Sequence, residues 1–134
     1  MNVSPIRILI VEDDLALQPF WNIVLKRCFK EWTSDWAVSA EEAKRMMTQA
    51  RHEGVPYSLV ISDIFLAGSE TGLDLFNAKD ELQTSIKFLL VSVAEANRVK
   101  DSVDEFTGDS AVLTKPLNLP KCERAINQLL NRGA

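Results

Sequence analysis

The chain has 134 residues, of which 46% are hydrophobic and 25% are charged. This length corresponds to one domain and excludes two independent cores, while the composition excludes an intrinsically disordered chain. Fifteen Lys and Arg residues against nineteen Asp and Glu residues give a net charge of -4, so a general basic surface for nucleic acid or anionic membranes is not expected.

The first predicted element is a buried strand. Residues 8–11 are a pure apolar run that is followed directly by Glu12. Such a run is typical of a strand covered on both faces, as in a parallel sheet. Pro19 falls just past the first turn of the helix that follows if Asp14 is its cap, so we predict a late start or a slight kink. Apolar residues at helical spacing define one face of this helix, namely Leu17, Phe20, Trp21, Val24, Leu25, Cys28, Phe29 and Trp32.

A second strand and helix follow. Residues 36–38 are a weak, short predicted strand, and Ser39 with Glu42 makes a capping box for the next helix. Residues 57–62 then indicate a third strand running into Asp63. The inward face of the second helix comprises Ala43, Met46, Met47 and Ala50.

A loop between Gly68 and Gly72 leads to a third helix, for which Thr71 with Asp74 offers a cap. Its predicted apolar side consists of Leu75, Ala78 and Leu82.

The last elements complete the alternation. Residues 88–91 are the fourth apolar run, and residues 111–113 are a short fifth strand. Residues 95–105 carry only two valines at helical spacing, so the fourth helix predicted there has little apolar packing. Asn118 caps a last helix, in which Pro120 lies in the first turn. The inward residues of this helix are Cys122, Ala125, Ile126, Leu129 and Leu130.

Five strands that alternate with five helices predict an α/β fold, a doubly wound five-stranded parallel sheet with helices on both faces. We expect residues 1–134 to form a single domain. Such sheets place their ligand sites at the carboxyl ends of the strands, where the strand order reverses.

Polar side chains stand at the ends of four predicted strands. Glu12 and Asp13 follow the first strand, Asp63 the third, Ser92 the fourth and Lys115 the fifth. In an open parallel sheet all of them can converge on one crevice. A carboxylate at a strand end is often only a helix cap, so each residue alone favours a structural role, whereas the set favours a functional one.

The chemistry available to this set is limited. Three clustered carboxylates repel one another unless a cation neutralises them, and an all-oxygen cluster suits Mg²⁺ better than zinc. An aspartate can act as a nucleophile and form an acyl phosphate. In that reaction a metal and an ammonium group take up charge on the phosphoryl group while a hydroxyl donates to it, and Mg²⁺, Lys115 and Ser92 fill those parts.

The motifs resemble those of the receiver domain of two-component response regulators, in order and over essentially the whole chain. The matching stretches are ILIVEDD at 8–14, LVISDIFL at 59–66, LVS at 90–92 and TKP at 114–116. The resemblance implies a flavodoxin-like receiver fold and a phosphorylation-controlled signalling switch. It also implies no enzymatic activity beyond Mg²⁺-dependent self-phosphorylation and autodephosphorylation at Asp63.

The resemblance implies a role for each position. Asp63 resembles the phosphorylated aspartate, and Asp13 resembles the direct metal ligand that acts with it. Glu12 corresponds to the second acidic position, beside the metal, and Phe65 would lend its backbone carbonyl to the ion. The peptide bond that follows Lys115 is expected to be cis, which helps to aim the lysine.

The implied phosphodonor is a histidine kinase or a phosphotransfer protein. The implied reader is a downstream protein, or an output domain missing from this chain, that binds the surface of the fourth helix, fifth strand and fifth helix. Direct binding of nucleic acid or of a membrane is not expected. Two cysteines are too few for a disulfide framework, and no signal peptide or apolar run of about 20 residues occurs, so we expect a soluble, cytoplasmic protein.

Some residues depart from the family pattern. Val112 stands where an aromatic residue usually reports phosphorylation by its rotamer, Val93 replaces a small residue, and Ala67 replaces a proline. A receiver-like interaction module that acts without phosphorylation is therefore an alternative. A Mg²⁺-dependent phosphohydrolase is disfavoured, because such enzymes place a second aspartate two residues after the nucleophile, whereas Asp13 and Asp14 are adjacent.

The departure at Val112 leads to a hypothesis about signal output. Without an aromatic switch, movement of Ser92 towards the phosphoryl group would change the order of the weak helix at 95–105, and a partner would read that surface.

Overall fold

The computed structural model describes residues 6–66, 68, 70–78, 86–92 and 110–130. In these residues five parallel strands form one sheet in the order β2-β1-β3-β4-β5. The strands are β1 (Ile6–Val11), β2 (Trp32–Ala37), β3 (Leu59–Asp63), β4 (Lys87–Ser92) and β5 (Ser110–Thr114). The predicted fold class is confirmed, and the strand order reverses between β1 and β3.

Four helices lie within the described residues. They are α1 (Gln18–Cys28), α2 (Ala40–His52), α3 (Gly72–Asn77) and α4 (Leu119–Leu129). None of these helices is long and apolar enough to cross a membrane. Outside the described residues lie the helix predicted at 95–105 and the predictions for Ala67, Leu82 and Val93.

Strand β1 shows why both faces of the sheet are covered. Ile8 and Ile10 belong to a core shared with α1 and α4, whereas Leu9 and Val11 belong to a core shared with α2 and α3. Successive side chains of a strand point to opposite faces, so a continuous apolar run feeds both cores. All four side chains are buried.

The first core contains the two cysteines. Cys28 on α1 and Cys122 on α4 are buried thiols in the same cluster of apolar side chains. Burial raises the pKa of Cys122 to about 12, and the nearby Cys28 adds to the effect. Both cysteines therefore pack as small hydrophobic residues, as predicted.

Pro19 accounts for the entry into α1. The Asp14 carboxylate accepts a hydrogen bond from the Ala16 N–H at 3.0 Å and caps a short 3₁₀ turn at Leu15–Leu17. Helix α1 then begins at Gln18, which places Pro19 in its first turn, where a missing N–H costs nothing. The predicted late start is confirmed.

Strand β2 begins earlier than the sequence pattern indicated. The sequence pattern predicts Trp32 on the face of the first helix and the strand at 36–38, and both predictions are wrong because β2 starts at Trp32 and ends at Ala37. The helix ends at Cys28, and the next residue, Phe29, has an extended backbone with φ -132° and ψ 149°. All six residues of β2 pair in parallel with β1, and this pairing decides the structure at Trp32 against its helical spacing.

The predicted helix caps form, with one difference. Ser39 Oγ accepts from the Glu42 N–H at 3.1 Å, but Glu42 Oε1 accepts from the Val38 N–H at 2.8 Å, one residue before the cap. At α3 the box is complete: Thr71 Oγ1 accepts from the Asp74 N–H at 3.2 Å, and the Asp74 carboxylate accepts from the Thr71 N–H at 2.8 Å.

A polar network that the sequence pattern did not reveal joins the amino ends of the strands. The Arg7 guanidinium lies 4.6 Å from the centroid of the Tyr57 ring and donates to the Val55 carbonyl at 2.6 Å and to Asp35 at 3.4 Å. The Tyr57 hydroxyl donates to the same Asp35 oxygen at 2.7 Å. This network ties β1, β2 and the approach to β3 together at the end of the sheet opposite the strand-end acids.

Candidate functional site

The predicted acidic residues meet at the carboxyl edge of the sheet. Glu12 and Asp13 directly follow β1, and Asp63 is the last residue of β3, the neighbouring strand. One carboxylate oxygen from each of these three residues lies within 4.8 Å of the other two. Lys115, which follows β5, places its Nζ 3.3 Å from Asp63 Oδ2. Three acids and one ammonium group therefore share one crevice.

Asp63 lies at the centre of this crevice and is only 8% exposed. Its Oδ2 accepts the hydrogen bond from Lys115, whereas the buried Oδ1 has no hydrogen-bond partner within the described part of the chain. Buried carboxylate oxygens are rarely left without a partner in folded proteins. Oδ1 is thus available to a ligand or to a reacting group.

Glu12 is more buried than its charge would ordinarily allow, at 4% exposure. Burial raises its pKa to about 7, although the Asp14 N–H, which donates to its carboxylate at 2.9 Å, lowers it. The Asp13 side chain and the charge of Asp63 raise the pKa further, while Lys115 lowers it. Near neutral pH the cluster therefore relieves part of its repulsion by keeping a proton on Glu12.

The donor set fits a hard divalent cation. The three residues offer only oxygen ligands, Asp13 is exposed on the solvent side, and Asp63 Oδ1 is unpartnered among the described residues. Mg²⁺ prefers one or two carboxylates together with water, which matches this arrangement better than a closed all-protein cage. Phe65 lies two residues beyond Asp63 with its side chain 56% exposed, and the role of its carbonyl stays a prediction.

Ser92 and Lys115 flank Asp63 from the other side. Ser92 ends β4 and is fully buried, one residue beyond Val91, which lies opposite Asp63 in the strand register. The Lys115 N–H donates to the Ser92 carbonyl at 2.7 Å, so the ends of β4 and β5 are held together. The bond between Lys115 and Pro116 is cis, as predicted. The role of the Ser92 hydroxyl stays a prediction.

The sequence pattern missed one wall of the site. A cavity of about 10 Å³, enough for about one water molecule, has Glu12, Asp63, Lys115 and Trp21 among its lining residues. Trp21 is 2% exposed and belongs to the apolar face of α1, where helical spacing alone predicts an ordinary core residue. Only the packing of α1 against the strand ends could identify it.

An apolar groove of about 280 Å³ lies beside the crevice. Leu17 of the 3₁₀ turn and Phe20 of α1 line it on one side, and Pro116 and Leu117 line it from the segment after β5, together with Lys115. The groove thus joins apolar surface to the one amine of the site.

Val112 lies in β5, opposite Leu90 of β4, and packs partly buried against the core beneath α2 and α3. A valine side chain has no ring that could swing between a buried and an exposed rotamer.

Comparison with solved structures identifies the fold. A response regulator receiver protein from Sinorhizobium medicae WSM419 superimposes with a TM-score of 0.75 at 20% identity, over 97% of this chain and 98% of that one. A response regulator receiver domain (CheY-like) from Methylobacillus flagellatus gives 0.68 at 23% identity, over 94% and 99%. A two-component response regulator from Cytophaga hutchinsonii gives 0.74 at 17% identity, over 96% and 99%.

No protein-family model and no curated protein matches the sequence. At identities below 25% the structural likeness shows the fold, which is that of response regulator receivers. The resemblance predicted from the sequence motifs is confirmed at this level.

Proposed function

We propose that this chain, which has the receiver fold, is a phosphorylation-controlled signalling switch. In this proposal Asp63 accepts a phosphoryl group from a phosphohistidine donor in a Mg²⁺-dependent reaction, and the protein-binding surface changes as a result. The observation that carries the proposal is the meeting of three carboxylates with the Lys115 ammonium at Asp63, whose Oδ1 has no hydrogen-bond partner among the described residues. Receiver-fold neighbours that are response regulators support it.

The proposed step is a displacement at phosphorus. Asp63 Oδ1 attacks the phosphorus atom of the donor, the bond from phosphorus to the imidazole nitrogen breaks, and its electron pair stays on that nitrogen. The product is an acyl phosphate on Asp63. Lys115 is placed 3.3 Å from Oδ2, so it orients the carboxylate and supplies positive charge close to the incoming phosphoryl oxygens. Ser92, at the end of the neighbouring strand, would donate its hydroxyl to one of those oxygens.

The residues proposed to hold Mg²⁺ are Asp13, Asp63 and the carbonyl of Phe65, with Glu12 beside the ion. When bound, the ion supplies charge neutralisation for the carboxylates and for the phosphoryl oxygens. Burial and the Asp14 N–H hold Glu12 in place, and loss of its proton would increase the charge available to the cation.

The proposed phosphodonor is a histidine kinase or a phosphotransfer protein. The apolar groove formed by Leu17, Phe20, Pro116 and Leu117 reaches Lys115, so an apolar face of the donor seated there would bring its phosphohistidine to the crevice. The reaction takes place in the cytoplasm in this proposal, and no activity is proposed beyond self-phosphorylation and autodephosphorylation at Asp63.

Signal output is proposed to leave through β5 and α4 with the predicted helix at 95–105, towards a downstream protein or an output domain. The partly buried Val112 excludes the usual aromatic readout, so the hypothesis of a change in order at 95–105 stands as the proposed route. Hydrogen exchange with and without beryllofluoride tests it, and unchanged protection over 92–105 would contradict it.

The experiment that tests the proposed function is intact-mass measurement after incubation with acetyl phosphate. We expect the mass of one phosphoryl group to be gained with Mg²⁺ present, and no gain in excess chelator or in Asp63→Asn. Asp14→Asn is a matched control, because Asp14 caps the 3₁₀ turn and lies outside the acidic cluster. A mass gain in Asp63→Asn would contradict the proposal, whereas no gain in any form would favour the unphosphorylated interaction module.

A further inference from the structure

The backbone conformation at Gly72 does not require a glycine. It is the first residue of α3 and is buried, and its φ angle is not among the positive values, which in the described residues occur at Gly54 and Gly68. Alanine is the better helix former at such a position, so conformational freedom does not account for the glycine. The reason must lie in what surrounds it.

The neighbour of Gly72 is the peptide that carries Asp63. A β-carbon at Gly72 would collide with the Asp63 carbonyl oxygen and would lie 2.8 Å from Ser62 Oγ and 3.0 Å from the Asp63 carbonyl carbon. The Gly72 N–H donates to the Ile64 carbonyl at 2.9 Å, which holds the two segments together. The first turn of α3 thus rests directly on the backbone of the proposed phosphoacceptor.

Neither side of this contact can move away freely. Ser62 Oγ donates to the Asp63 carbonyl at 3.0 Å inside the buried sheet, and the Ile64 N–H donates to the Val91 carbonyl at 2.8 Å. On the helix side, Leu75 is fully buried and the complete capping box fixes the first turn of α3. A bulkier residue at position 72 would therefore displace the Asp63 peptide or the turn of α3.

The approach to α3 is also tied from outside. Lys44 Nζ on α2 donates to Glu70 Oε2 at 2.8 Å, two residues before Gly72. This ion pair links the segment before α3 to α2. It therefore helps to hold the first turn of α3 in contact with the Asp63 backbone.

We propose that Gly72 is a positioning residue for Asp63. The missing β-carbon lets α3 seat against the Asp63 peptide and thereby sets the direction of the Asp63 carboxylate towards Lys115 Nζ, 3.3 Å away. This inference rests on the proposed function, because it assigns Gly72 to the geometry of phosphoryl transfer at Asp63. Misplacement of a reacting group by about 1 Å can lower a rate by about 100-fold.

The test compares Gly72→Ala with Gly68→Ala, a matched change in the same loop. Among the described residues, a β-carbon at Gly68 would meet only the Glu41 carboxylate, at 3.5 and 3.8 Å, so this control strains the positive φ of 101° without touching Asp63. We expect Gly72→Ala to take up phosphoryl groups from acetyl phosphate about 10- to 100-fold more slowly at saturating Mg²⁺. Gly68→Ala should stay close to the wild-type rate.

A second readout does not depend on phosphorylation. The ¹³C shifts of the Asp63 carbonyl and carboxyl carbons should change in Gly72→Ala and stay as in the wild type in Gly68→Ala. If the wild-type chain takes up no phosphoryl group, the proposed function fails, while these shifts still decide whether Gly72 positions Asp63. Unchanged shifts together with a wild-type rate in Gly72→Ala would overturn the inference.

Asp74→Ala covers the case in which Gly72→Ala does not fold. Asp74 is exposed, and its loss opens the capping box that holds the first turn of α3 without adding any bulk. The same changes in the Asp63 shifts and a slower phosphorylation are expected, because a loosened turn no longer fixes the Asp63 peptide. If Asp74→Ala leaves both quantities as in the wild type, the positioning role is wrong.

Discussion

Glu12 should make the ion-free protein less stable as the pH rises. Its pKa is raised from 4.5 to about 7 in the folded state, mainly by burial. Between these two values the folded state binds a proton that the unfolded state has released, so the free energy of unfolding falls with increasing pH. At about 1.4 kcal/mol per pKa unit the total loss between pH 4 and pH 8 is about 3 kcal/mol.

The perturbation that isolates this effect is Glu12→Gln. The amide has nearly the shape of the carboxylic acid, and its oxygen can still accept the Asp14 N–H that now donates to Glu12 at 2.9 Å. Glutamine does not titrate, so its free energy of unfolding does not fall in this way. The difference in the free energy of unfolding, variant minus wild type, should therefore be about 3 kcal/mol larger at pH 8 than at pH 4. With only 4% of Glu12 exposed, solvent screens little of this difference.

Urea unfolding of both proteins in excess chelator, at several pH values between 4 and 8, measures the difference directly. Titrating groups that do not interact with Glu12 affect both proteins alike and cancel. An equal difference between variant and wild type at pH 4 and pH 8 would refute the reasoning, since ionisation of the buried Glu12 would then carry no cost in stability. Added Mg²⁺ should stabilise the wild type more at pH 8 than at pH 5, because protonated Glu12 adds no charge for the cation.

Three further experiments, two on variants and one on the unchanged protein, give independent expectations. Lys115→Ala should retain Mg²⁺ binding but lose the amide shifts of β5 on phosphorylation, because no ammonium remains to pair with the phosphoryl oxygens; wild-type NMR shifts would contradict this. Arg7→Met should lower the free energy of unfolding by about 1–3 kcal/mol by leaving Asp35 and the Tyr57 ring without their cation, yet leave phosphorylation unchanged; urea unfolding that matches the wild type would show that the network is not stabilising. Cys122 should resist alkylation at pH 8 until the protein is unfolded, since burial raises its pKa to about 12; rapid labelling of the native protein would contradict the burial.

The sequence predicted the fold well because the strongest signals are buried strands. The run at 8–11, which forms most of β1, is apolar at every position, and both of its faces are covered in the structure. Strand β2 was misplaced for the opposite reason. Its sequence, WTSDWA, contains polar residues at its centre, so the hydrophobic pattern does not show where the strand begins and ends. Its pairing with β1 sets these ends.

The site was predictable to the extent that it consists of strand ends. Glu12, Asp63 and Lys115 follow or end apolar runs, and parallel pairing alone brings them to one edge. Trp21 and Gly72 were not predictable as parts of the site, because each acts through packing between elements that are distant in sequence. A tryptophan on an apolar helix face and a glycine at a loop end carry no local sign of such contacts.

The residue that carries the phosphoryl group is the most direct test of the account. After incubation with acetyl phosphate and Mg²⁺, reduction of the acyl phosphate with borohydride marks the modified carboxyl group, and fragment masses locate it along the chain. The account predicts a single mark at Asp63, where Oδ1 is unpartnered among the described residues and Lys115 lies 3.3 Å from Oδ2. A mark at Asp13 or Glu12, or none in protein that binds Mg²⁺, would contradict the assignment of Asp63 as the phosphoacceptor.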